Sequence, residues 1–372
     1  KAGAELEARN EMGWTPLMGA ASNNNPEVIS VLIKAGANLE ARIETKGDAL
    51  AGWTPLMFAA GRNTNPEVIS VLIKAGAELE ARNEMGWTPL MGAASNNNPE
   101  VISVLIKAGA NLEARIETKG DALAGWTPLM FAAGRNTNPE VISVLIKAGA
   151  ELEARNEMGW TPLIVASGNN NPEVISVLIK AGAELEARIE TKGAAFAGST
   201  PLMFAAAFNT NPEVISVLIK DGANLEARSE RGSTPLMGAA SRNTNPEVIS
   251  VLIKAGAELE ARNEMGWTPL MFAAHDNTNP EVISVLIKAG ANLEARVEGG
   301  STPLMFAAAY NASPEVVAVL IKAGAELEAR SEDGFTPLIV AAAFNTNPEV
   351  ISVLIKDGAN LEARSERGST PL

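Results

Sequence analysis

A short apolar segment recurs ten times in near-identical copies along the chain, and its pattern of apolar and polar positions predicts a helix. In the copy at residues 65–77, Asn65 is suited to cap the free amides and Pro66 fits the first helical turn. Gly76 is suited to the left-handed backbone conformation that ends a helix. The apolar residues between these signals are Val68, Ile69, Val71, Leu72 and Ile73. So short a helix cannot bury this wide face alone, so we expect the helices to pack against one another in a stack.

A second recurring motif, Thr-Pro-Leu, fixes the period of the chain. It predicts a shorter helix, because Thr caps helix starts and Pro fits the first helical position. The motif begins at Thr15, Thr54, Thr88, Thr127, Thr161, Thr200, Thr234, Thr268, Thr302, Thr336 and Thr370. The steps of 34 and 39 residues resolve into a 33-residue unit that carries either one or six extra residues.

The segment from the end of each apolar helix to the next Thr-Pro-Leu forms a third element, which we call a finger. Each finger opens with an alternating stretch, such as residues 37–42, that predicts an extended arm with one buried edge. The six extra residues lengthen three of the fingers, at residues 44–52, 117–125 and 190–198.

The two predicted helices and the finger together resemble an ankyrin repeat. Residues 86–93 read Gly-Trp-Thr-Pro-Leu-Met-Gly-Ala, which is similar to the family's Gly-x-Thr-Pro-Leu-His-x-Ala, and a second helix at 99–108 and Gly-Ala-Asn at 109–111 follow. The resemblance covers essentially all 372 residues and implies an all-α solenoid of stacked helix–turn–helix repeats with extended fingers. Met or Ile replaces the family's His, so we expect apolar packing instead of the hydrogen bonds which that His makes between repeats.

We predict a single array over residues 1–372, with ten complete helix pairs and a partial repeat at each end. Residues 1–4 match the end of a second helix, and residues 370–372 match the start of a first helix. Neither end shows the polar capping repeat with which natural arrays cover their terminal apolar faces. We therefore expect the chain to be an excerpt of a longer array, or to stack head to tail with other copies of itself, which would build a filament.

Composition disfavours several classes of function. Apolar residues make up 46% of the chain, but no run approaches the roughly 18 to 20 residues of a membrane span, so we expect no membrane insertion. The chain has no cysteine, which excludes disulfides, thiolate metal sites and cysteine nucleophiles. The net charge of −14 disfavours nucleic acid and anionic membranes, because both attract basic surfaces. The composition agrees with a soluble protein and leaves cytoplasmic, secreted and cell-surface locations open.

Residues that carry catalysis are scarce. The chain has one His and one Tyr, and it shows no glycine-rich phosphate loop, metal triad or nucleophile elbow. We interpret His275 beside Asp276 as incidental, because it is a lone His in an inter-helix turn. Glu44 and Asp48 lie in one long finger, but their spacing lacks the alternating oxygen ligands of a calcium loop. We therefore predict no enzyme activity, no cofactor, no metal site and no small-molecule substrate.

Large apolar residues at a few variable positions are the candidate partner contacts. The residue before Thr-Pro-Leu is Trp in six copies and Ser or Phe in the others, and the residue after Thr-Pro-Leu-Met/Ile is Gly, Phe or Val. The ankyrin resemblance implies that partners commonly contact these positions, on the fingers and the inner helix. The predicted partner-binding residues are Trp14, Trp53, Trp87, Trp126, Trp160, Trp267, Phe58, Phe131, Leu50, Leu123 and Phe196.

Two interpretations of these residues stay open. The tryptophans are binding hot spots, since Trp supplies a large and rigid contact area, or each indole packs on the next finger in an unbroken ladder. The long fingers either grip a partner or are tolerated insertions.

A row of arginines recurs in the fingers, each with Glu two residues before it. We interpret it as a solvated charge ladder, because exposed ion pairs contribute at most about 1 kcal/mol each. Its members are Arg9, Arg42, Arg82, Arg115, Arg155, Arg188, Arg228, Arg262, Arg296, Arg330 and Arg364.

Two functions of different classes fit these observations. The first is a protein-binding scaffold that holds its partner in the first five repeats, where five tryptophans and all three long fingers fall. The second is a structural spacer, fibre or surface stalk. Residues 4–76 and 77–149 are identical, which favours the spacer, whereas the variable second half favours the binder. The ankyrin resemblance places protein binding first.

The first testable prediction concerns charge. With a net charge of −14, the chain should show no salt-sensitive affinity for DNA or RNA. Fluorescence anisotropy of a labelled duplex at about 0.1 M salt measures this. Micromolar binding that weakens steeply as salt is added would contradict the prediction.

Overall fold

The structure is a computed structural model that describes residues 5–44, 50–118, 122–191 and 196–371. Within these ranges the chain forms twenty α-helices and no strand, which confirms the all-α class. The chain divides into two compact units, Lys1–Glu184 and Leu185–Leu372, and each contains five helix pairs. A pair consists of a first helix, which begins after the Thr of Thr-Pro-Leu, and a second helix. The middle of each long finger, including Asp48, lies outside the described residues.

In the first unit, helices of the same kind stack on one another. Each first helix contacts the first helix of the next pair, each second helix contacts the next second helix, and the two helices of a pair contact each other. The helices are α1 (Pro16–Ala21), α2 (Pro26–Ala35), α3 (Pro55–Arg62), α4 (Pro66–Lys74), α5 (Pro89–Ala94), α6 (Pro99–Lys107), α7 (Pro128–Arg135), α8 (Pro139–Lys147), α9 (Pro162–Ser167) and α10 (Pro172–Lys180).

The second unit repeats this arrangement within itself. Its helices are α11 (Pro201–Phe208), α12 (Pro212–Lys220), α13 (Pro235–Arg242), α14 (Pro246–Lys254), α15 (Pro269–Asp276), α16 (Pro280–Lys288), α17 (Pro303–Tyr310), α18 (Pro314–Lys322), α19 (Pro337–Phe344) and α20 (Pro348–Lys356). Each unit therefore has the helix–turn–helix stacking that the ankyrin resemblance implied.

The predicted start and stop signals of the second helices are confirmed. The Asn65 Oδ1 atom accepts a hydrogen bond from the N–H of Glu67 at 3.0 Å, and Pro66 takes the first helical position. Gly76 follows the helix with φ of +99°, a conformation that strains any residue with a Cβ atom. These local signals set where each second helix begins and ends.

The methionine that replaces the family's histidine is both a core residue and a cap residue. Met91 is fully buried, which confirms the expected apolar packing. Its N–H donates to Thr88 Oγ1 at 3.4 Å, and its Sδ accepts from the N–H of Thr88 at 3.5 Å. The thioether thus adds a weak acceptor at the helix start that the sequence interpretation did not include.

The apolar face of each second helix is buried against the neighbouring repeats. In α4, Val68, Ile69 and Leu72 are fully buried, and α4 contacts α2, α3 and α6. Burying one such side chain stabilises the fold by about 1.5 to 3 kcal/mol. Ala59 and Ala60 of α3 are also fully buried, and their small side chains allow first helices to approach closely. Stacking therefore supplies the cover that a single repeat lacks.

The alternating stretch that opens each finger is a turn, and the predicted extended arm is wrong. The Asn38 carbonyl oxygen accepts from the N–H of Ala41 at 3.4 Å, and Asn38 Oδ1 accepts from the N–H of Glu40 at 2.9 Å. An Asn side chain that bonds the backbone two residues ahead favours a turn over an extended strand. The predicted buried edge is correct, because Ala37 and Ala41 are buried and Leu39 is half-buried.

Arg and Glu side chains join successive fingers, which the predicted solvated charge ladder did not include, although most of these arginines are exposed as expected. Arg82 Nη1 donates to the carbonyl oxygen of Gly86 in its own finger at 3.1 Å and of Arg115 in the next at 2.7 Å. Glu80 Oε1 accepts from the N–H of Asn111 in the next finger at 2.8 Å. Finger backbone groups have no helical partner, so these side chains satisfy them.

We call this pair of contacts the finger clamp, and it recurs along both units. Its arginines, each bonded to the carbonyl of the next finger, are Arg9, Arg42, Arg82, Arg115, Arg188, Arg228, Arg262, Arg296 and Arg330. Its glutamates, each bonded to the N–H of the next finger, are Glu7, Glu40, Glu80, Glu113, Glu153, Glu186, Glu226, Glu260, Glu294 and Glu328.

Burial perturbs several clamp glutamates. Desolvation raises the pKa of Glu226, and the hydrogen bond from the N–H of Glu258 offsets only part of the effect. The pKa is raised for the same reasons at Glu40, Glu113 and Glu153. The Oε2 atom of Glu226 is buried and has no hydrogen-bond partner in the described part of the chain. The charged form of Glu226 is therefore less favourable in the folded chain than in the unfolded chain.

A row of asparagines, which sequence reasoning missed, joins the repeats beneath the first helices. Asn277 is 4% exposed, and its Nδ2 donates to the carbonyl oxygens of Ala240 and Asn243 in the preceding repeat, at 2.9 Å each. Its Oδ1 accepts from the N–H of Asn279 at 3.0 Å, so every polar atom of the amide group is used. We call the row the asparagine ladder, and its members are Asn63, Asn136, Asn243, Asn277, Asn311 and Asn345.

The second prediction tests the asparagine ladder. Asn277→Ala leaves two buried carbonyl oxygens without their donor, so we expect the free energy of unfolding to fall by about 2 to 4 kcal/mol. Urea unfolding of the full chain measures the change. The neighbouring exposed residue provides the control, because Thr278→Ala should leave stability within about 0.5 kcal/mol of the parent. Equal stability of the two variants would contradict a structural role for the ladder.

The third prediction concerns pH. Because the folded pKa of Glu226 is raised, its contribution to stability is greatest below the unfolded pKa of about 4.3 and falls as pH rises through the folded pKa. Gln stays neutral at every pH, so Glu226→Gln should gain stability relative to the parent between about pH 4 and pH 7. Urea unfolding across this range measures the difference, and Glu113→Gln in the first unit should show the same trend. A difference that shrinks or reverses as pH rises would contradict it.

Candidate partner-binding surface

The tryptophans of the first unit belong to aromatic clusters on its first helices. In one cluster, Phe58 of α3 lies between Trp14 and Trp53, with ring centroids 4.6 and 5.2 Å away. The Arg62 guanidinium lies 5.4 Å from the centroid of the Trp14 ring, within cation–π distance. Asn10 Oδ1 accepts from the N–H of Trp14 at 2.9 Å, which fixes the turn that places this indole against α3.

The second cluster is built from the same residue types in the duplicated block. Phe131 of α7 lies between Trp87 and Trp126, with ring centroids 4.5 and 5.2 Å away. The Arg135 guanidinium lies 5.2 Å from the Trp87 ring centroid. Desolvation lowers the pKa of Arg135, but a guanidinium stays charged at neutral pH. Contacts of this kind contribute about 0.5 to 1 kcal/mol where they are exposed.

These clusters change the predicted set of contact residues. Phe58 and Phe131 are fully buried, so they hold the indoles in place and present no surface to a partner, which corrects their predicted role. Trp126 is also buried, and the half-buried tryptophans are Trp14, Trp53, Trp87, Trp160 and Trp267. In the two clusters the indoles pack on a first-helix Phe that alternates with Gly, rather than in an unbroken ladder on the fingers.

The described parts of the long fingers resume just before the first helices. The predicted contact residues there are half-buried, and they are Leu50, Leu123 and Phe196. Each carbonyl oxygen accepts the N–H three residues on, at 3.0 Å, in the turn that leads into the first helix. The centroid of the Phe196 ring also lies 5.0 Å from that of the Phe208 ring. The Arg242 guanidinium lies 5.3 Å from the Phe196 centroid. Their contact with a partner stays a prediction.

The second unit carries an exposed aromatic row that sequence reasoning missed. It consists of His275, Tyr310 and Phe344, with centroid distances of 4.8 Å from His275 to Tyr310 and 6.0 Å from Tyr310 to Phe344. Tyr310 is 54% exposed and Phe344 is 58% exposed. Trp267 lies 5.2 Å from the His275 ring, so His275 packs between two aromatic rings, and it lies in α15 rather than in the predicted inter-helix turn.

A signal for this surface was present in the sequence. The last residue of each first helix in the second unit changes in charge and size from repeat to repeat, and these residues are Phe208, Arg242, Asp276, Tyr310 and Phe344. This signal is difficult to interpret, because the sequence alone does not show where each first helix ends.

His275 and Asp276 form a hydrogen-bonded pair beside the row, with 2.6 Å between Nδ1 and Oδ1. Ser241 Oγ donates to Asp276 Oδ2 at 2.7 Å. Burial by itself raises the pKa of Asp276, but the hydrogen bonds from His275 and Ser241 outweigh it and hold the pKa below its ordinary value. Across the described ranges, no group of three or more His, Asp or Glu side chains is placed to hold a metal ion. The pair therefore anchors the row and the adjoining helix end.

Sequence models of the ankyrin repeat match most of the chain. The model described as ankyrin repeats in three copies matches residues 40–116, 113–189, 187–263, 236–331 and 276–365, and the single-repeat model matches residues 12–43. The chain belongs to the ankyrin-repeat family. Ankyrin repeats generally mediate protein–protein interactions, and the family is typically non-enzymatic.

A solved ankyrin structure supports the fold of this ankyrin-repeat chain. The crystal structure of the human ASB11 ankyrin repeat domain is similar with a TM-score of 0.54 and 22% sequence identity, over 66% of this chain and 99% of that domain. At this identity the likeness concerns the fold alone. No curated protein sequence matches the chain. Of the helices described, none combines the length and the apolar character needed to cross a membrane.

Proposed function

We propose that this ankyrin-repeat chain is a non-catalytic scaffold that binds a protein partner along its first helices and fingers. The aromatic row of the second unit carries the proposal, because Tyr310 and Phe344 each expose more than half of their surface. Aromatic side chains that packed neighbours hold in place supply large and rigid contact area, and Tyr, Trp and Arg are the commonest hot-spot residues. Exposed apolar groups of this kind are typical of interaction surfaces.

The first unit offers a second set of hot-spot residue types. Trp87 is half-buried, and the exposed Arg135 guanidinium lies above its ring. A partner that approaches the first helices there meets an indole and a cation together. Trp14 and Arg62 repeat this combination in the other cluster.

Variation within the chain supports binding over a spacer role. An array that only spans distance needs no variation at exposed positions, whereas the first-helix ends of the second unit differ in charge and size. The net charge of −14 favours protein partners over nucleic acid. Assembly of copies head to tail stays a prediction from the sequence.

The fourth prediction tests this surface by mutation. Peptides selected from a random displayed library by the intact chain provide the probe, and calorimetry measures their affinity for each variant. We expect Tyr310→Ala with Phe344→Ala, or Trp87→Ser with Trp126→Ser, to weaken binding by more than about 2 kcal/mol, because hot-spot truncations have that effect. Lys254→Ala with Lys288→Ala, at exposed second-helix ends, is the matched control and should keep full affinity.

One outcome would refute the proposal, and another would restrict the binding surface to the second unit. If both aromatic double variants keep full affinity, the partner does not bind along the first helices. If only the tryptophan variant keeps its affinity while it loses thermal stability, the indoles of the first unit are packing residues and the binding surface lies in the second unit.

A further inference from the structure

A cavity of about 290 Å³ lies in the second unit, and residues of three successive repeats line it. Buried Met237 and half-buried Gly238 of α13 line it together with half-buried Phe272 of α15. Ser233, Arg242 and Asp276 add polar and charged groups to its wall. The cavity is therefore apolar on one side and polar on the other.

The first unit shows what fills the same place when the chain itself supplies the occupant. Trp87 precedes Thr-Pro-Leu as Ser233 does, and its ring packs 4.5 Å from Phe131, whose place in the next repeat matches that of Phe272. Gly92, in the place that matches Gly238, leaves room for that indole. The cavity thus stands where a Trp side chain stands in the first unit.

The rest of the aromatic cluster is retained around the cavity. Trp267 lies 5.1 Å from Phe272, and the matching pair in the first unit, Trp126 and Phe131, lies 5.2 Å apart. The cluster therefore keeps its Phe and one Trp in the second unit, and the replacement of the other Trp by Ser233 leaves one face of Phe272 for another ring.

We propose that this cavity receives a tryptophan side chain from a partner polypeptide. Phe272 offers the aromatic face on which an indole packs, as Phe131 does for Trp87. The partner's polypeptide nature rests on the protein-binding function proposed above, whereas the preference for an indole rests on the cavity alone.

The polar wall favours an indole over a benzene ring. In the first unit the Nε1 atom of Trp87 is buried and finds no hydrogen-bond partner among the described residues. In the second unit the carboxylate of Asp276 lines the cavity beside the guanidinium of Arg242, and it provides a hydrogen-bond acceptor that the buried Nε1 of Trp87 lacks in the described part of the first unit. A carboxylate oxygen accepts more than one hydrogen bond, so Asp276 has capacity for an indole N–H beside its bonds to His275 and Ser241.

The test measures binding of N-acetyl-tryptophanamide to the full chain by ligand-observed NMR, with N-acetyl-phenylalaninamide and N-acetyl-leucinamide as comparison probes. We expect the tryptophan amide to bind more tightly than either. Ser233→Trp should place the chain's own indole in the cavity, as Trp87 does in the first unit, and weaken binding by at least about tenfold. It should also raise the midpoint of thermal unfolding, because it fills a cavity.

Ser301→Trp is the matched control. Ser301 also precedes Thr-Pro-Leu, but the next repeat supplies Val340 where the cavity has Phe272, so this variant should bind the tryptophan amide as the parent does. Ser233→Leu provides a second way to fill the cavity if Ser233→Trp fails to fold, and it should weaken binding in the same direction.

Three results would overturn the proposal: no binding by the parent chain, equal binding of the leucine amide, or undiminished binding by the folded Ser233→Trp and Ser233→Leu variants. These results leave the protein-binding function standing if library peptides still bind. If no library peptide binds while the tryptophan amide still binds at the cavity, the scaffold proposal is refuted and the indole site stands.

Discussion

The structure depends on a single constraint: the polar backbone groups that lie between repeats are matched by side chains of the adjacent repeat. Burial of apolar helix faces brings neighbouring repeats into contact. This interaction is non-directional, so it does not set the exact position of one repeat on the next. A buried carbonyl that lacks a donor costs about 1 to 3 kcal/mol, so the donor has to arrive in the correct place. Asn277 supplies that donor at the first helices, and the finger clamps supply donors and acceptors at the fingers.

The candidate surface is formed by residues that do not set the position of one repeat on the next. The ladder asparagines and clamp residues recur because they set the register, whereas the residue before Thr-Pro-Leu and the last residue of each first helix vary. The variable side chains are therefore regularly spaced along each unit, and other residues make the contacts that set this spacing. Trp87 packs against Phe131 of the next repeat, and Ser233 leaves the matching space empty as a cavity.

Local signals predicted the helices, while contacts between repeats could not be read from one repeat alone. Asn65 and Gly76 act on their own helix, so their roles follow from the sequence. Asn277 stands in a turn, where Asn is common, and its carbonyl partners belong to another repeat. Arg82 carries a charge that suggests an exposed ion pair, and its Nη2 does lie 3.4 Å from Glu117 Oε1, but its Nη1 also donates to a backbone carbonyl of the next finger, which the charge alone does not predict. The burial of Phe131 likewise depends on indoles from two repeats.

Amide hydrogen exchange of the second unit tests whether side chains of the preceding repeat hold the finger backbone, because it reports on that backbone without any mutation. Asn292 and Glu326 are exposed finger residues outside any helix, and their N–H groups donate to Glu260 and Glu294 at 2.8 Å each. We expect both amides to exchange at least about a hundredfold more slowly than an unprotected peptide. Exchange at the unprotected rate, while the flanking helices stay protected, would contradict it.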